Sequence, residues 1–289
     1  MSETEFVLPT DWGHLSGTLL LPDGAGPWPV AVLIAGSGPT DRDGNTPLLP
    51  ARVDNLKLLG QALAQRGLAS LRYDKRGVGG SGYPGLSEEG LRFEDLVDDA
   101  ALLGLRLAQD ERFAPVVLAG HSEGALIAVL AAEAAQARAV VSIAGAGTRA
   151  SVLMRKQIQD RLPPELAGQA LETLDELEQQ HRVTDVPDDL VLLFRPTVQP
   201  YLMSWFRHDP PVALARLQVP ALLVHGSADV QVGVEHARRL HVGQPDAPLH
   251  IVEGMDHLLS VQGDVATGTQ AIAAEVATWL QQLHVGVEA

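Results

Sequence analysis

Short runs of apolar residues alternate with longer stretches of helical periodicity, and this alternation restricts the possible fold more than any other feature of the sequence. Residues 30–35 (VAVLIA) contain no polar position, which is typical of a strand buried on both faces of a sheet. Comparable strands are predicted at residues 69–73, 116–119, 139–143, 221–224 and 249–252. Strands that alternate with helices favour a mostly parallel sheet covered by helices. We therefore predict an α/β fold.

The N-terminal region departs from the parallel pattern. Residues 5–8 and 14–21 are joined by Pro-Thr-Asp-Trp-Gly, so they are expected to pair as antiparallel strands at one edge of the sheet. Helices are predicted at residues 53–66, 93–109, 122–135, 234–240 and 266–283.

The segment 148–211 contains no strand signal, and its composition shifts to Glu, Gln, Leu and Arg. It is too long for an ordinary connection inside a compact domain and should therefore have structure of its own. Helical spacing is clear at residues 166–180. We predict that residues 1–147 and 212–289 form the core and that residues 148–211 form a helical cap over one end of the sheet.

Composition excludes several classes of function. The net charge of −15 over 289 residues disfavours binding to nucleic acid and to anionic membranes. The absence of cysteine excludes disulfides, thiol nucleophiles and thiolate metal sites. No secretory signal is found, and proline and glycine interrupt the longest uncharged stretch, residues 24–40. The sequence predicts a cytoplasmic protein with no membrane partner, and it leaves the oligomeric state open, a homodimer included.

The most informative motif is Gly-His-Ser-Glu-Gly around Ser122, between a predicted strand and a predicted helix. A serine hydroxyl becomes a strong nucleophile when its oxygen is exposed and a base takes its proton. A sharp strand-to-helix turn exposes the oxygen, and small residues two positions before and after the serine let the chain pass close to neighbouring strands. The same turn places the Glu123 N–H at a helix N-terminus, where it favours a developing oxyanion.

A nucleophile of this kind requires a carboxylate and then a histidine on loops after later strands. Asp229 follows the strand at residues 221–224, and His257 follows the strand at residues 249–252. Catalytic groups gather at the carboxyl ends of parallel strands, so we predict that His257 is the base and that Asp229 orients it. Asp256 is the rival acid, but an immediate neighbour seldom reaches the Nδ1–H of the histidine beside it.

A second oxyanion donor is expected from the loop after the first central strand. The Ser37 N–H is assigned this role, because the glycines on both sides of it let the chain approach the reacting carbonyl.

Taken together, the motifs resemble the α/β-hydrolase superfamily. The resemblance rests on Gly-His-Ser-Glu-Gly, on residues 35–44 (AGSGPTDRDG), on residues 73–79 (YDKRGVG) and on His-Gly-Ser-Ala-Asp before residue 230. Within it, they look most like short-chain carboxylesterases related to the serine aminopeptidase branch. The resemblance implies an α/β-hydrolase fold with a lid after the strand at 139–143. It also implies hydrolysis of small-molecule esters through an acyl-enzyme, without cofactor or metal. Many relatives carry His-Gly before the oxyanion residue, where this chain has Ala35-Gly36.

Two other functions stay open on the residues alone. An aminopeptidase or amidase of the same fold would need a carboxylate in the cap to bind a free amine, and Glu172, Glu176 and Asp189 are candidates. A non-catalytic protein that recruits partners through the cap is the other possibility, although it would be expected to have lost a member of the triad.

Four further side chains of the cap are candidates for substrate binding: Tyr201, Met203, Trp205 and Phe206. They either line an acyl pocket or pack inside the cap.

Three residues near the motifs are given supporting roles. Asp74 and Arg76 are expected to form an ion pair that braces the glycine-rich loop after the strand at 69–73, and His225 is expected to support the turn that holds Asp229.

Overall fold

Eight strands form a single sheet in the computed structural model, which describes residues 1–82 and 85–283. The strands are β1 (Ser2–Thr10), β2 (Gly13–Leu21), β3 (Trp28–Ile34), β4 (Ala69–Tyr73), β5 (Phe113–His121), β6 (Ala139–Ile143), β7 (Ala221–Gly226) and β8 (Leu249–Val252). Their order across the sheet is β1-β2-β4-β3-β5-β6-β7-β8.

The sheet is antiparallel only at its N-terminal edge. β1 pairs antiparallel with β2, from Ser2 opposite Leu21 to Thr10 opposite Gly13, and β2 pairs antiparallel with β4. Every other pair is parallel, from β4 with β3 through β7 with β8. The predicted mostly parallel sheet with antiparallel N-terminal edge strands is therefore confirmed. Its carboxyl ends bring the loops after β3, β4, β5, β7 and β8 to one edge.

Helices cover both faces of the sheet. They are α1 (Asn55–Ala64), α2 (Phe93–Ala108), α3 (Glu123–Ala131), α4 (Ala150–Arg161), α5 (Pro164–Glu178), α6 (Val191–Phe194), α7 (Gln199–Trp205), α8 (Pro210–Ala215), α9 (Val234–Gly243) and α10 (Val265–Gln282). In β3, Val30, Val32 and Ile34 join the hydrophobic cluster that includes α2 and α3. The alternate residues Ala31 and Leu33 join the cluster that includes α1 and α10. This is the period-2 alternation of a strand buried on both faces.

Two helices begin later than the periodicity predicts because a left-handed residue precedes each of them. Asp54, with φ of 53°, delays α1 until Asn55, and Ser122, with φ of 57°, delays α3 until Glu123. A non-glycine residue with positive φ is uncommon and is a reason to look for function.

The helices α4 to α8, called the inserted helices below, occupy the connection between β6 and β7. Proline restricts where two of them begin: α5 starts at Pro164, and α8 starts at Pro210 after the N-cap Asp209. Leu174 and Leu177 of α5 are buried in the same cluster as α2 and α3. The inserted helices therefore share a hydrophobic core with one face of the sheet.

Candidate active site

Ser122 occupies a strained turn between β5 and α3. Its backbone has φ of 57° and ψ of −116°, and its N–H donates to the carbonyl of Ile143, the last residue of β6, at 2.8 Å. Because strain of this type persists only where the surroundings impose it, the turn is a candidate functional feature. It holds the Ser122 side chain, which is only partly buried, at the carboxyl edge of the sheet.

The two glycines that flank this turn are required by close backbone contacts. A Cβ atom on Gly120 would lie 1.9 Å from the carbonyl oxygen of Gly124. A Cβ atom on Gly124 would lie 2.3 Å from the carbonyl oxygen of Ile34 in β3. Both distances are far below van der Waals contact, so the spacing Gly-x-Ser-x-Gly follows from the packing of α3 against β5 and β3.

Asp229 and His257 meet on the loops after β7 and β8. The Nδ1–H of His257 donates to Oδ2 of Asp229 at 2.7 Å, and the Asp229 side chain is fully buried. The other carboxylate oxygen, Oδ1, accepts the backbone N–H groups of Gln231 and Val232 at 2.9 and 2.8 Å. Burial raises the pKa of Asp229, but the hydrogen bond and charge of His257 and the N–H of Val232 outweigh burial and lower the pKa below its usual value. Asp229 is therefore a carboxylate at neutral pH.

Asp256, the rival acid, has a different role. Its Oδ1 accepts the backbone N–H groups of Leu258 and Ser260, each at 2.9 Å, so that it shapes the turn that carries His257. This is the usual behaviour of an aspartate that closes an Asx turn.

The His257 loop lies directly against the residue that precedes Ser122. His121 Nε2 donates to the carbonyl oxygen of His257 at 2.8 Å, and the two imidazole rings lie 5.0 Å apart. Burial lowers the pKa of His121 to about 3, with the nearby His257 contributing, so the ring is neutral at physiological pH. His121 thus ties the loop after β8 to the end of β5.

His225 supports the turn of Asp229. Its Nε2 donates to the carbonyl of Val232 at 2.7 Å and lies 3.6 Å from Asp229 Oδ2. Burial lowers the pKa of His225 below the usual value, which keeps this buried ring neutral.

The opposite side of Ser122 holds Ser37 and Glu123, the residues whose backbone N–H groups are the predicted oxyanion donors. Ser37 is the third residue after Ile34, the last residue of β3, and its carbonyl accepts the hydroxyl of Thr40 at 2.9 Å. Glu123 begins α3, and its side chain is fully buried. Ser37, Ser122 and Glu123 all line one cavity of about 770 Å³.

The cavity extends from Ser122 toward the inserted helices, and its wall is predominantly apolar. Four residues of and just before α7 face it at helical spacing: Val198, Tyr201, Leu202 and Trp205. Further apolar side chains of the wall are Leu126, Leu153, Met154, Val191, Leu192 and Leu193.

Two of the four substrate-binding residues that were predicted in the inserted helices line the cavity. Tyr201 and Trp205 line it and Met203 and Phe206 do not, although all four belong to or pack against the same hydrophobic cluster. Met203 lies on a different face of α7 from Tyr201 and Trp205, and Phe206 follows the last residue of the helix. Phe93 of α2 stacks on Trp205 with 5.8 Å between ring centroids, which anchors α7 to the core.

The predicted ion pair between Asp74 and Arg76 is wrong. Asp74 binds Arg42 of the loop after β3, with 2.7 Å between Oδ2 and the guanidinium, and Arg76 binds Asp99 of α2 at 2.7 Å. Each largely buried charge takes a partner from a neighbouring element, because both guanidinium groups form two-pronged hydrogen bonds there.

Sequence reasoning missed Lys75, which is buried beside the candidate oxyanion donors. Its Nζ donates to the Gly36 carbonyl at 2.5 Å and to Glu123 Oε2 at 3.0 Å. The Tyr201 hydroxyl donates to the other oxygen of the same carboxylate. The sequence signal was Tyr-Asp-Lys-Arg-Gly at the end of a buried strand. It indicated where the lysine lies but not which residues it contacts.

The candidate amine-binding carboxylates lie away from the cavity. Glu172, Glu176 and Asp189 are exposed and are not among the lining residues, and Glu176 is paired with His181 at 3.1 Å. Asp188 is the carboxylate of the inserted segment that lines the cavity.

Sheet topology, nucleophile turn and the Asp–His pair define the protein as an α/β hydrolase. The family described as serine aminopeptidase, S33, matches residues 52–263, and the chain belongs to this family.

Known proteins that are similar to the chain include esterases and a peptidase. Esterase EstD from Thermotoga maritima is 29% identical over 250 residues, which cover 85% of this chain, and the chain spans only 58% of EstD. Est1E from Butyrivibrio proteoclasticus, solved with ferulic acid, has a TM-score of 0.67 at 16% identity, with 96% and 99% of the two chains covered. Proline iminopeptidase from Mycobacterium smegmatis has a TM-score of 0.66 at 15% identity, with 96% and 98% covered. At these identities the two solved structures support the fold alone.

Within residues 1–82 and 85–283, no helix combines the length and hydropathy that are needed to cross a bilayer.

Proposed function

We propose that the protein is a serine carboxylesterase that cleaves small carboxylic esters through an acyl-enzyme. The observation that carries this proposal is the 2.7 Å hydrogen bond between buried Asp229 and His257. The loop that carries His257 is hydrogen-bonded to His121, the residue before Ser122, and Ser122 has a positive φ. An Asp–His pair beside a serine is the arrangement that activates a hydroxyl for acyl transfer. Similarity to Esterase EstD supports the same activity.

In the proposed mechanism, Ser122 attacks the ester carbonyl while Nε2 of His257 takes the hydroxyl proton. Nε2 is the available nitrogen because Nδ1–H is engaged by Asp229. The lowered pKa of Asp229 keeps a negative charge beside the imidazolium that forms, and this charge stabilises it.

The tetrahedral intermediate carries a negative oxygen, which is stabilised in this proposal by the N–H groups of Glu123 and Ser37. His257 then protonates the leaving alcohol as the C–O bond breaks, and the acyl group stays on Ser122. Water repeats the cycle with His257 as base, which releases the acid and restores the free hydroxyl.

The character of the cavity favours esters over amino-terminal peptides. A free substrate amine needs an accessible carboxylate, but Glu123 already accepts Lys75 and Tyr201, and Glu172, Glu176 and Asp189 lie outside the cavity. Asp188 is the one carboxylate of the inserted segment in a wall that is otherwise predominantly apolar. An apolar acyl chain, by contrast, matches the wall formed by α4, α6 and α7.

An aminopeptidase is the second candidate, because Asp188 lines the cavity and the family is described as serine aminopeptidase. In that case Asp188 would receive the amine. Asp188→Asn would then abolish cleavage of aminoacyl anilides and leave p-nitrophenyl ester hydrolysis unchanged.

The inserted helices serve in this proposal as a cap, residues 148–211, over a core of residues 1–147 and 212–289. Their apolar residues form the far wall of the cavity, which supports the assignment. The cytoplasmic location stays a prediction from the sequence, which leaves the oligomeric state open.

The test is a panel of p-nitrophenyl esters of increasing chain length beside aminoacyl anilides, with Ser122→Ala as control. We expect ester hydrolysis that Ser122→Ala abolishes, and a fluorophosphonate adduct on Ser122 by mass spectrometry. Absence of both turnover and labelling in the folded protein would favour the non-catalytic binding role.

A further inference from the structure

A buried lysine links three neighbouring strands beside the nucleophile. Lys75 follows β4, Gly36 follows β3 and Glu123 follows β5, and these strands are adjacent in the order β4-β3-β5. Lys75 Nζ reaches both of the other residues, at 2.5 Å to the Gly36 carbonyl and 3.0 Å to Glu123 Oε2. The lysine and glutamate side chains are 4% and 0% exposed, so this contact lies in a nearly dry environment.

The first contact bears on the Ser37 donor through the geometry of one peptide unit. The carbonyl of Gly36 and the N–H of Ser37 belong to the same planar amide, and they point in opposite directions. An ammonium group that holds the carbonyl oxygen therefore sets the direction of the Ser37 N–H. It also polarises the amide, which makes the N–H a stronger hydrogen-bond donor in a low-dielectric environment.

The second contact bears on the Glu123 donor. The Glu123 carboxylate is held at both oxygens, by Lys75 at Oε2 and by the Tyr201 hydroxyl at Oε1. Burial and the charge of Glu123 raise the pKa of Tyr201 well above its usual value, so the hydroxyl keeps its proton and remains a donor. A carboxylate held at both oxygens restricts the movement of Glu123, the first residue of α3, whose N–H faces the cavity in the proposed mechanism.

Stability alone gives a poor reason for this arrangement. A buried ion pair commonly contributes no more stability than an apolar pair of the same volume, because desolvation offsets the attraction between the charges. Lys75 contacts the amide of one proposed oxyanion donor and the side chain of the other, so it is placed to position both donors.

We propose that Lys75 is the positioning residue of the oxyanion hole: it holds the Ser37 and Glu123 N–H groups in register for the tetrahedral oxyanion. The proposal rests on the proposed esterase function. In this proposal Lys75 acts on the reacting atoms only through the two backbone donors.

The first experiment compares wild type with Lys75→Met, which keeps most of the side-chain volume and removes the charge. We expect kcat to fall on the order of 10- to 100-fold, because misplaced oxyanion donors stabilise the transition state less. KM should change by less than about threefold, because ground-state contacts with the acyl chain are retained. Lys156→Met is the matched control, since Lys156 is exposed on α4 and pairs with Asp160, and its kcat should equal that of wild type.

A second readout reports on the oxyanion directly. A trifluoromethyl ketone with the acyl chain of the best ester forms a tetrahedral adduct with the serine, and the adduct needs both N–H donors. Its inhibition constant should rise in Lys75→Met by the same factor by which kcat/KM falls, because both quantities measure the tetrahedral state. The rate of fluorophosphonate labelling should fall in parallel.

A double variant separates positioning from folding. Lys75→Met alone leaves the Glu123 charge buried without its cation, which destabilises the fold. Lys75→Met with Glu123→Gln removes both charges, so thermal stability should recover toward wild type while kcat stays low. Recovery of kcat together with stability would show a structural role only and would overturn the proposal.

Two further outcomes are decisive. A folded Lys75→Met enzyme with wild-type kcat and wild-type inhibitor affinity overturns the positioning role while esterase activity stands. A wild-type protein that neither hydrolyses esters nor reacts with the fluorophosphonate overturns the proposed function and, with it, this inference.

Discussion

The two sides of Ser122 present different kinds of chemical group, side chains on one side and backbone N–H groups on the other. On the side of β7 and β8, the proposed functional groups are side chains, Asp229 and His257, joined by one short hydrogen bond. On the side of β3 and β4, the proposed functional groups are backbone N–H donors, and the side chains lie one layer behind them, with Lys75 on the Gly36 carbonyl. A base that acts through its side chain can be recognised in the sequence by its residue type. A backbone N–H donor cannot, because every residue except proline has one. The first side should consequently be sensitive to substitution of the acting residue, and the second to substitution of its support.

The largest loss is expected from His257→Ala, which removes the proposed base. We expect kcat to fall about 10⁵- to 10⁶-fold, as is typical when a member of a serine–histidine pair is lost. The measurement is p-nitrophenyl ester turnover beside the matched control His250→Ala. His250 is partly exposed and faces Glu275, so its removal should leave kcat near wild type. A comparable loss in both variants would contradict the assignment.

The next largest loss is expected from Asp229→Asn, which keeps the shape of the side chain but cannot hold Nδ1–H as a charged acceptor. We expect kcat to fall about 10⁴-fold. Asp256→Asn is the control, because its Oδ1 only accepts backbone N–H groups and an amide oxygen can replace it there. If Asp256→Asn proved the more damaging change, Asp256 would be the acid instead.

A smaller effect is expected from Tyr201→Phe on the oxyanion side. The change removes the hydroxyl that Glu123 accepts, which should lower the free energy of unfolding by about 1 to 3 kcal/mol. The kcat value should fall about three- to tenfold, because the Glu123 donor loses one restraint. Urea denaturation and steady-state kinetics measure the two effects.

Tyr73→Phe provides the matched comparison for Tyr201→Phe. The Tyr73 hydroxyl is buried without a hydrogen-bond partner among the described residues, so its removal should leave stability unchanged or raised. An equal decrease in the free energy of unfolding in the two variants would show that the hydrogen bond to Glu123 does not itself stabilise the fold.

The smallest effect on activity, with a characteristic pH dependence of stability, is expected from His121→Gln. Burial lowers the pKa of His121 to about 3, whereas an unfolded histidine titrates near 6.5. Between these pH values the unfolded chain binds a proton that the folded protein does not. Acidification therefore destabilises wild type, by up to about 1.4 kcal/mol per pH unit from this residue.

The glutamine of His121→Gln can still donate to the His257 carbonyl, yet it does not titrate. Denaturation from pH 7 to pH 4 should show a shallower loss of stability in the variant than in wild type. Parallel curves would mean that His121 is not neutral in the folded protein.

The strand and helix positions were largely predictable because they depend on local patterns. The buried run at residues 30–35 and the alternation of strands and helices led to the observed sheet, with errors at boundaries such as Asp54, where a left-handed residue starts a helix late. Asp229 and His257 were also predictable as neighbours, because each follows a parallel strand at the same edge of the sheet.

The partners of buried charges were not predictable. Asp74 and Arg76 lie two positions apart and were expected to pair, yet Arg42 and Asp99 take them because the fold brings better-oriented groups to each. The same limit applies to Lys75, whose contacts come from residues 36 and 123. Which face of α7 meets the cavity was equally hidden: Tyr201 and Trp205 line the cavity, whereas Met203 and Phe206 are not among its lining residues.

The sequence by itself determined where strands, helices and the nucleophile turn lie, since steric limits and hydrophobic periodicity act between residues that are close along the chain. The tertiary structure decided which polar groups meet, which helix face lines the cavity and what holds the backbone donors beside Ser122. These contacts depend on the order of strands in the sheet, and a buried charge binds whichever partner that order brings within hydrogen-bonding distance.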